Sequence, residues 1–341
     1  MVNIGNMGRK QGVPRVILAQ RVVRKMAQGA ALYPEEETAE ALVGLVLPND
    51  QGPPDFYVLD TIAPDWDATE REVAMVEQGD DLQDEIMYWL SINWRRFRQM
   101  RSQSYGNARA AKWNAPLRYL GDWHKQPGEM FWPSQGDLAT AQAIVQDEAN
   151  DMPQLLAPIV TVAPPWDEDS DPPGDDYDLY VIQDDGPRIR VNFWYLSRDS
   201  RQFVAARPEV QPDDLLPTLS PLAWHLTDRD RFQQEYDDLS NDGLAVSIIE
   251  WDADEQPPLE ICFMAGRMGG SHVLILITDK NYPQVAPTVR LAPMMTVGED
   301  EDLFKTLWDE SIIYATAGLP DWTWSPEMAL LDLVRAVEAQ L

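Results

Sequence analysis

The stretch GDWHKQPGEMFWPSQGD (residues 121–137) carries the decisive pattern. RYLGDWHKQ (118–126) reads as a strand, so His124 and Gln126, two apart, present their side chains on one face. Pro127 stops that strand. Seven residues then intervene before Ser134, which is placed to N-cap a helix over SQGDLATAQAIVQDEAN (134–150). Leu138, Ala141, Ile144 and Val145 supply the helix's buried stripe. Asp137 falls in the first turn and can aim its carboxylate back at the strand. His124, Gln126 and Asp137 are therefore candidate ligands for one metal ion. Zinc asks for about four ligands in tetrahedral array, one of them water if the site is catalytic, and a carboxylate elsewhere would take the proton from that water.

Working outward, ALVGLVL (41–47) and FYVLDTIA (56–63) read as a pair of buried strands joined by the turn-rich PNDQGPPD. Apolar residues from Arg15 to Ala30 recur at a helical period, which predicts a helix there. A second helix is expected over 81–100. LYVIQDDGPRIRVNFWYL (179–196) has the form of a hairpin turning at Asp185-Gly186. PPWDEDSDPPGDD (164–176) is a Pro- and Asp-rich surface loop, and RPEVQPDDLLPTLSP (207–221) reads as a linker. Beyond it the pattern restarts: a helix at 229–239, three consecutive strands in LAVSIIEW, LEICFMAG and SHVLILITD, the rigid turn YPQVAP, and a closing helix with Ser325 as N-cap and Pro326 at its first position.

A chain of 341 residues is long enough for two cores. No segment approaches the ~20 consecutive apolar residues of a membrane span, and the first residues lack a secretory pattern. One cysteine, Cys262, excludes an internal disulfide and a cysteine-based zinc cluster. These features point to a cytoplasmic protein with no membrane partner. The net charge of −30 opposes nucleic-acid binding. Between Glu85 and Asp122, however, seven basic residues (Arg95, Arg96, Arg98, Arg101, Arg109, Lys112 and Arg118) occur with no acidic one. Residues 206–341 carry 8 Lys and Arg against 25 Asp and Glu, or −17, so an interdomain contact between the basic window at 95–118 and this acidic half is an expectation.

The spacing His-x-Gln-x7-Ser-x2-Asp closely resembles the JAMM motif of the MPN (JAB) metalloprotease family, whose pattern is His-x-His-x7-Ser-x2-Asp. ETAEALVG (37–44) is similar to the run that opens that family's first core strand, with Glu37 on the general-base position and Gly44 on the closing glycine. The resemblance spans roughly residues 12–205. It implies zinc on His124 and Asp137, water activation by Glu37, oxyanion stabilisation by Ser134, and cleavage next to a ubiquitin-like protein. Two departures stand out. Ala39 and Glu40 replace small glycines, which predicts crowding near Glu37. Gln126 stands where a second histidine ligand belongs, and a neutral amide oxygen is a poor ligand for zinc.

The second half resembles the ubiquitin-conjugating fold and its RWD relatives over roughly 226–341. The residues carrying this are Phe232, Leu239, Tyr282-Pro283, Pro287, Trp322, Trp324 and Pro326. Active conjugating enzymes hold a nucleophilic cysteine after the YP turn, whereas from Tyr282 to Leu341 this chain has no Cys, His or Asn. Cys262 lies before the turn, in a strand, where it reads as a buried structural thiol. The fold expected is α+β: an MPN/JAB-type mixed sheet with flanking helices (1–205), a Pro-rich linker (206–225), and a conjugating-like domain with an antiparallel meander (226–341). The function expected is an adaptor in a ubiquitin-like modification pathway. The alternative is an active zinc peptidase or isopeptidase acting on a ubiquitin-like protein or its conjugate.

Overall fold

A computed structural model describes residues 14–341 apart from 34, 51, 66–69, 73–74, 78–80, 127, 129, 163–177, 182–187, 299–300 and 321. Contacts divide the chain into two units, Met1–Leu219 and Ser220–Leu341, each containing both helices and sheet. Among the described residues no helix is long and apolar enough to cross a membrane.

The first unit runs β1 (Arg15–Ala19), α1 (Gln20–Leu32), β2 (Thr38–Leu47), β3 (Asp55–Ile62), the short pair β4 (Glu70–Glu72) and β5 (Met75–Glu77), then α2 (Asp81–Ala110), β6 (Arg118–Lys125) and α3 (Gln135–Gln146). Short strands follow: β7 (Gln154–Leu156), β8 (Ile159–Val162), β9 (Asp178–Val181), β10 (Ile189–Asn192), β11 (Trp194–Ser197), β12 (Val204–Ala205) and β13 (Arg207–Gln211). In the sheet β13, β1, β3, β2 and β6 lie side by side. The far edge of β6 is shared, with β7 pairing at Gly121 and β8 at His124 and Lys125. The sheet therefore forks there, into β7–β11–β12 and β8–β10–β9. Gly121 makes the fork possible. Its φ is +119°, and a Cβ on it would sit 1.9 Å from the Leu156 carbonyl oxygen, so any side chain would push β7 away.

Two expectations change. Arg15–Ala19 forms a strand, and only at Gln20 does the helix begin. Val16 to Ala19 are all buried because β1 lies inside the sheet, paired in parallel with β3 and β13 and covered on both faces. The passage expected as a linker supplies β13, whose Arg207 to Gln211 pair residue by residue with Arg15 to Ala19. Asp213 and Pro217 follow, accepting hydrogen bonds from the backbone and guanidinium of Arg21, so this stretch belongs to the first unit. In the basic window several residues have local partners: Arg98 donates to Asn114, Arg118 pairs with Asp151, and Lys112 lies over the Trp113 ring. The 164–176 loop and the Asp185-Gly186 turn lie outside the described residues, while β9 and β10 pair antiparallel as the hairpin requires.

The second unit contains α4 (Trp224–Thr227), α5 (Arg229–Asn241), β14 (Leu244–Trp251), β15 (Glu260–Arg267), β16 (His272–Thr278), β17 (Thr288–Pro293), α6 (Leu303–Glu310), β18 (Ile312–Tyr314) and α7 (Leu330–Glu338). Its five strands form one antiparallel meander in chain order. Cys262, Ile275, Ala292, Phe304 and Leu307 share its core. Glu235, fully buried, accepts hydrogen bonds from Arg231 (2.7 Å), the Leu330 N–H (2.7 Å) and the Tyr282 hydroxyl. That network ties α5 to the YP turn and to the last helix, and it explains a further difference. The closing helix starts at Leu330 and not after Ser325. Its first N–H is taken by Glu235, Arg231 holds the Met328 carbonyl, and Asp332 accepts the Ala329 N–H (2.9 Å), while the Ser325 hydroxyl turns to Glu327.

Candidate functional site

β2 and β6 run antiparallel with Thr38 opposite Lys125, Ala39 opposite His124, and Glu40 opposite Trp123. Strand alternation puts Ala39 and His124 on one face of the sheet, and Glu40 and Trp123 on the other. Glu37 and Gln126 lie one residue beyond the ends of β2 and β6, where continued alternation would put them on the His124 face. On its other edge β6 is held by β8: the His124 N–H donates to the Pro158 carbonyl (3.1 Å) and the Gln126 N–H to that of Val160 (3.0 Å). The backbone at His124 is thus held from two sides, and that at Gln126 from the β8 side.

α3 brings the carboxylate. Ser134 caps the helix, its hydroxyl accepting the Asp137 N–H (3.1 Å) while Asp137 Oδ2 accepts the Ser134 N–H (2.6 Å). One oxygen of Asp137 is thus used by the cap, and the other, Oδ1, faces His124 Nε2 at 3.9 Å. That separation exceeds a hydrogen bond. It is close to the roughly 3.3 Å that two ligands at ~2.0 Å would show in a tetrahedral shell. Burial lowers the pKa of His124, partly opposed by Asp137, so the imidazole is neutral at pH 7 and keeps a lone pair. Burial raises the pKa of Glu37; the charge of Asp137 adds to this and Lys125 opposes it. Asp137 thus lies within electrostatic reach of both His124 and Glu37.

Glu40 causes no crowding here. It lies on the opposite face, beside Thr61 and Trp123, where Gly29 of α1 leaves room for it; a Cβ on Gly29 would meet Glu40 Oε1 at 3.0 Å. Lys125, which the motif does not mark, supports the site from that same face. Buried, it donates through Nζ to the carbonyls of Tyr33 (2.7 Å) and Glu36 (2.9 Å), anchoring the turn that delivers Glu37. Only the alternation of burial along β6 could have signalled it. The loop leading to Ser134 is anchored by aromatic contacts: Trp194 donates to the Phe131 carbonyl (2.9 Å), and Trp132 stacks on Trp194 at 5.2 Å.

Gln126 is the weak member. It is 5 % exposed, and its Oε1 is buried with no hydrogen bond from any described residue. Among the described residues, no group of three or more His, Cys, Asp and Glu side chains is arranged to hold a metal ion. With Gln126 as the third ligand, as the motif position has it, the donors are one imidazole, one carboxylate and one amide. This set fits tight zinc binding poorly, because zinc prefers nitrogen or thiolate donors to a neutral oxygen.

No protein family profile and no curated protein matches the chain. Among known structures, it is similar to protein DSY2949 from Desulfitobacterium hafniense, a solution structure, at 12 % identity and a TM-score of 0.33 over 58 % of this chain and 93 % of that one. What the chain's own geometry defines is a two-unit α+β protein with an imidazole–carboxylate pair at a strand-to-helix junction.

Proposed function

We propose that this chain is a non-enzymatic binding component of a ubiquitin-like modification pathway. In this reading the first unit is a degenerate JAMM-like domain of MPN type, and the second a conjugating-enzyme-like (UBC/RWD) domain without the thioester cysteine. One observation carries it: Gln126 stands beside His124 with an unsatisfied amide oxygen where the resemblance calls for a second imidazole. Two further features support the second half. Trp324 donates to the Pro283 carbonyl (2.8 Å), locking the YP turn to the W-x-W segment. Cys262 is a core residue whose thiol burial pushes well above its ordinary pKa, so it is inert as a nucleophile.

The competing reading, an active zinc peptidase, draws on the convergence of Glu37, His124 and Asp137. Metal analysis separates the two. Purified protein is expected to hold far less than one zinc per chain, and Gln126→His to raise zinc affinity by roughly 10–100-fold in a chelator competition. Stoichiometric zinc in the native protein, lost in Asp137→Ala, would replace the adaptor reading with the peptidase one. Failure to bind any ubiquitin-like protein encoded nearby would remove the pathway assignment from both.

A further inference from the structure

The second unit's sheet ends on β18, a three-residue edge that carries no lysine, proline or bulge. Natural edge strands are kept short, carry lysine, proline or a bulge, or are covered, because their outward N–H and C=O groups otherwise recruit another strand; of these devices β18 shows shortness alone. β18 is Ile312-Ile313-Tyr314, paired only to β17 among the described residues, with Ile312 opposite Leu291 and Ile313 opposite Arg290. Successive residues of a strand point to opposite faces, yet Ile312 and Ile313 are each 67 % exposed, so apolar surface is open on both faces at these two positions, while Tyr314 is half-buried. Met294 (43 %) and Met295 (38 %), just past the end of β17, add exposed apolar surface. The sheet's other edge differs, since β14 is eight residues long, includes Glu250 and packs on α5.

Charge selects the occupant. The ten residues before Ser311, 301–310, contain four acidic residues and one basic one, Lys305, which is already paired with Asp309 (2.5 Å). A second copy of this chain would bring the same acidic run, along with its own share of the −30 net charge, against the first. We infer that β18 is a strand-addition site for an extended segment of a partner protein, one with apolar residues at alternate positions and lysine or arginine between them. Main-chain hydrogen bonds to the open edge would supply affinity, Ile312 and Ile313 would take the apolar side chains, and the acidic run would select for basic ones. This inference stands apart from the metal site and does not depend on the pathway assigned above.

The probe is a fluorescent ten-residue peptide alternating valine with lysine, titrated into the full-length protein by anisotropy. Binding is expected, with protection of amides 312–314 in hydrogen exchange. N-methylation of alternate peptide nitrogens along one edge should weaken it roughly tenfold or more, as should the Ile312→Asp/Ile313→Asp variant, whose fold a circular dichroism melt verifies. The methylated peptide needs no protein variant, so the test survives a misfolded mutant. Absence of binding overturns the inference. So does binding indifferent to N-methylation, which would reflect charge alone. Concentration-dependent dimerisation abolished by the aspartates would do the same, by making a second copy the occupant.

Discussion

Gln126 places an acceptor inside the protein without a donor among the described residues, and a buried acceptor left in this state costs ~1–3 kcal/mol. Methionine has nearly the same length and no amide oxygen. Gln126→Met is therefore expected to stabilise the first unit by about 1 kcal/mol, seen as a higher urea midpoint with an unchanged slope. A lower midpoint would reveal that Oε1 has a partner in solution. Gly121 is the opposite case, a position where nothing can be added. A Cβ there meets the Leu156 carbonyl at 1.9 Å on a backbone at φ +119°, so Gly121→Ala combines a clash with backbone strain. A loss of about 3 kcal/mol or more is expected in the same unfolding experiment, and a cost under 1 kcal/mol would show that the β6–β7 fork can open without penalty.

At the scale of elements, β13 matters more than its proline-rich sequence suggests. It closes one edge of the first sheet on β1, and the residues after it hold Arg21 through Asp213 and Pro217. A fragment ending at residue 205 leaves β1 with an open edge and Arg21 without those acceptors. Compared with a fragment ending at 219, it should melt at least several degrees lower, and equal melting temperatures would mean β13 contributes nothing. This strand was illegible in the sequence for a physical reason. Pro208 lacks an N–H and reads as a breaker, yet proline is tolerated on an edge strand. β1 reads as part of a helix in the sequence because Val16 to Ala19 are buried on both faces and show no alternation to tell strand from helix. β2, β3, β6 and α3 were legible because alternation, Pro127 and the Ser134 cap are local signals. In the site, the His124–Asp137 approach followed from strand and helix geometry. The roles of Lys125 and Glu40 did not, because they depend on where α1 crosses the sheet and on the space left by Gly29.

Across the whole molecule, the pH dependence of the second unit sets a half-buried imidazole against a buried carboxyl. His225 is held down to about 4 by burial and by the neighbouring charge of Arg229. Between about 4 and 6.5 the unfolded chain binds a proton there that the folded one refuses, so this group's contribution is full above 6.5 and is lost as pH falls. Glu260 is pushed up to about 7, chiefly by burial, with Asp254 and Asp252 adding to a shift that the Ala253 N–H partly offsets. Between 4.5 and about 7 the folded chain keeps a proton that the unfolded one has lost. Its contribution is therefore full below 4.5 and is lost as pH rises. Over pH 4.5–6.5 the two slopes have opposite sign. Removing one partner should expose the other. Glu260→Gln should make stability climb more steeply with pH across this window, and His225→Phe should make it fall, in denaturant titrations at half-unit steps. If both variants track the wild-type curve, neither group titrates as its surroundings dictate, and the acid response of this unit must come from its surface carboxylates.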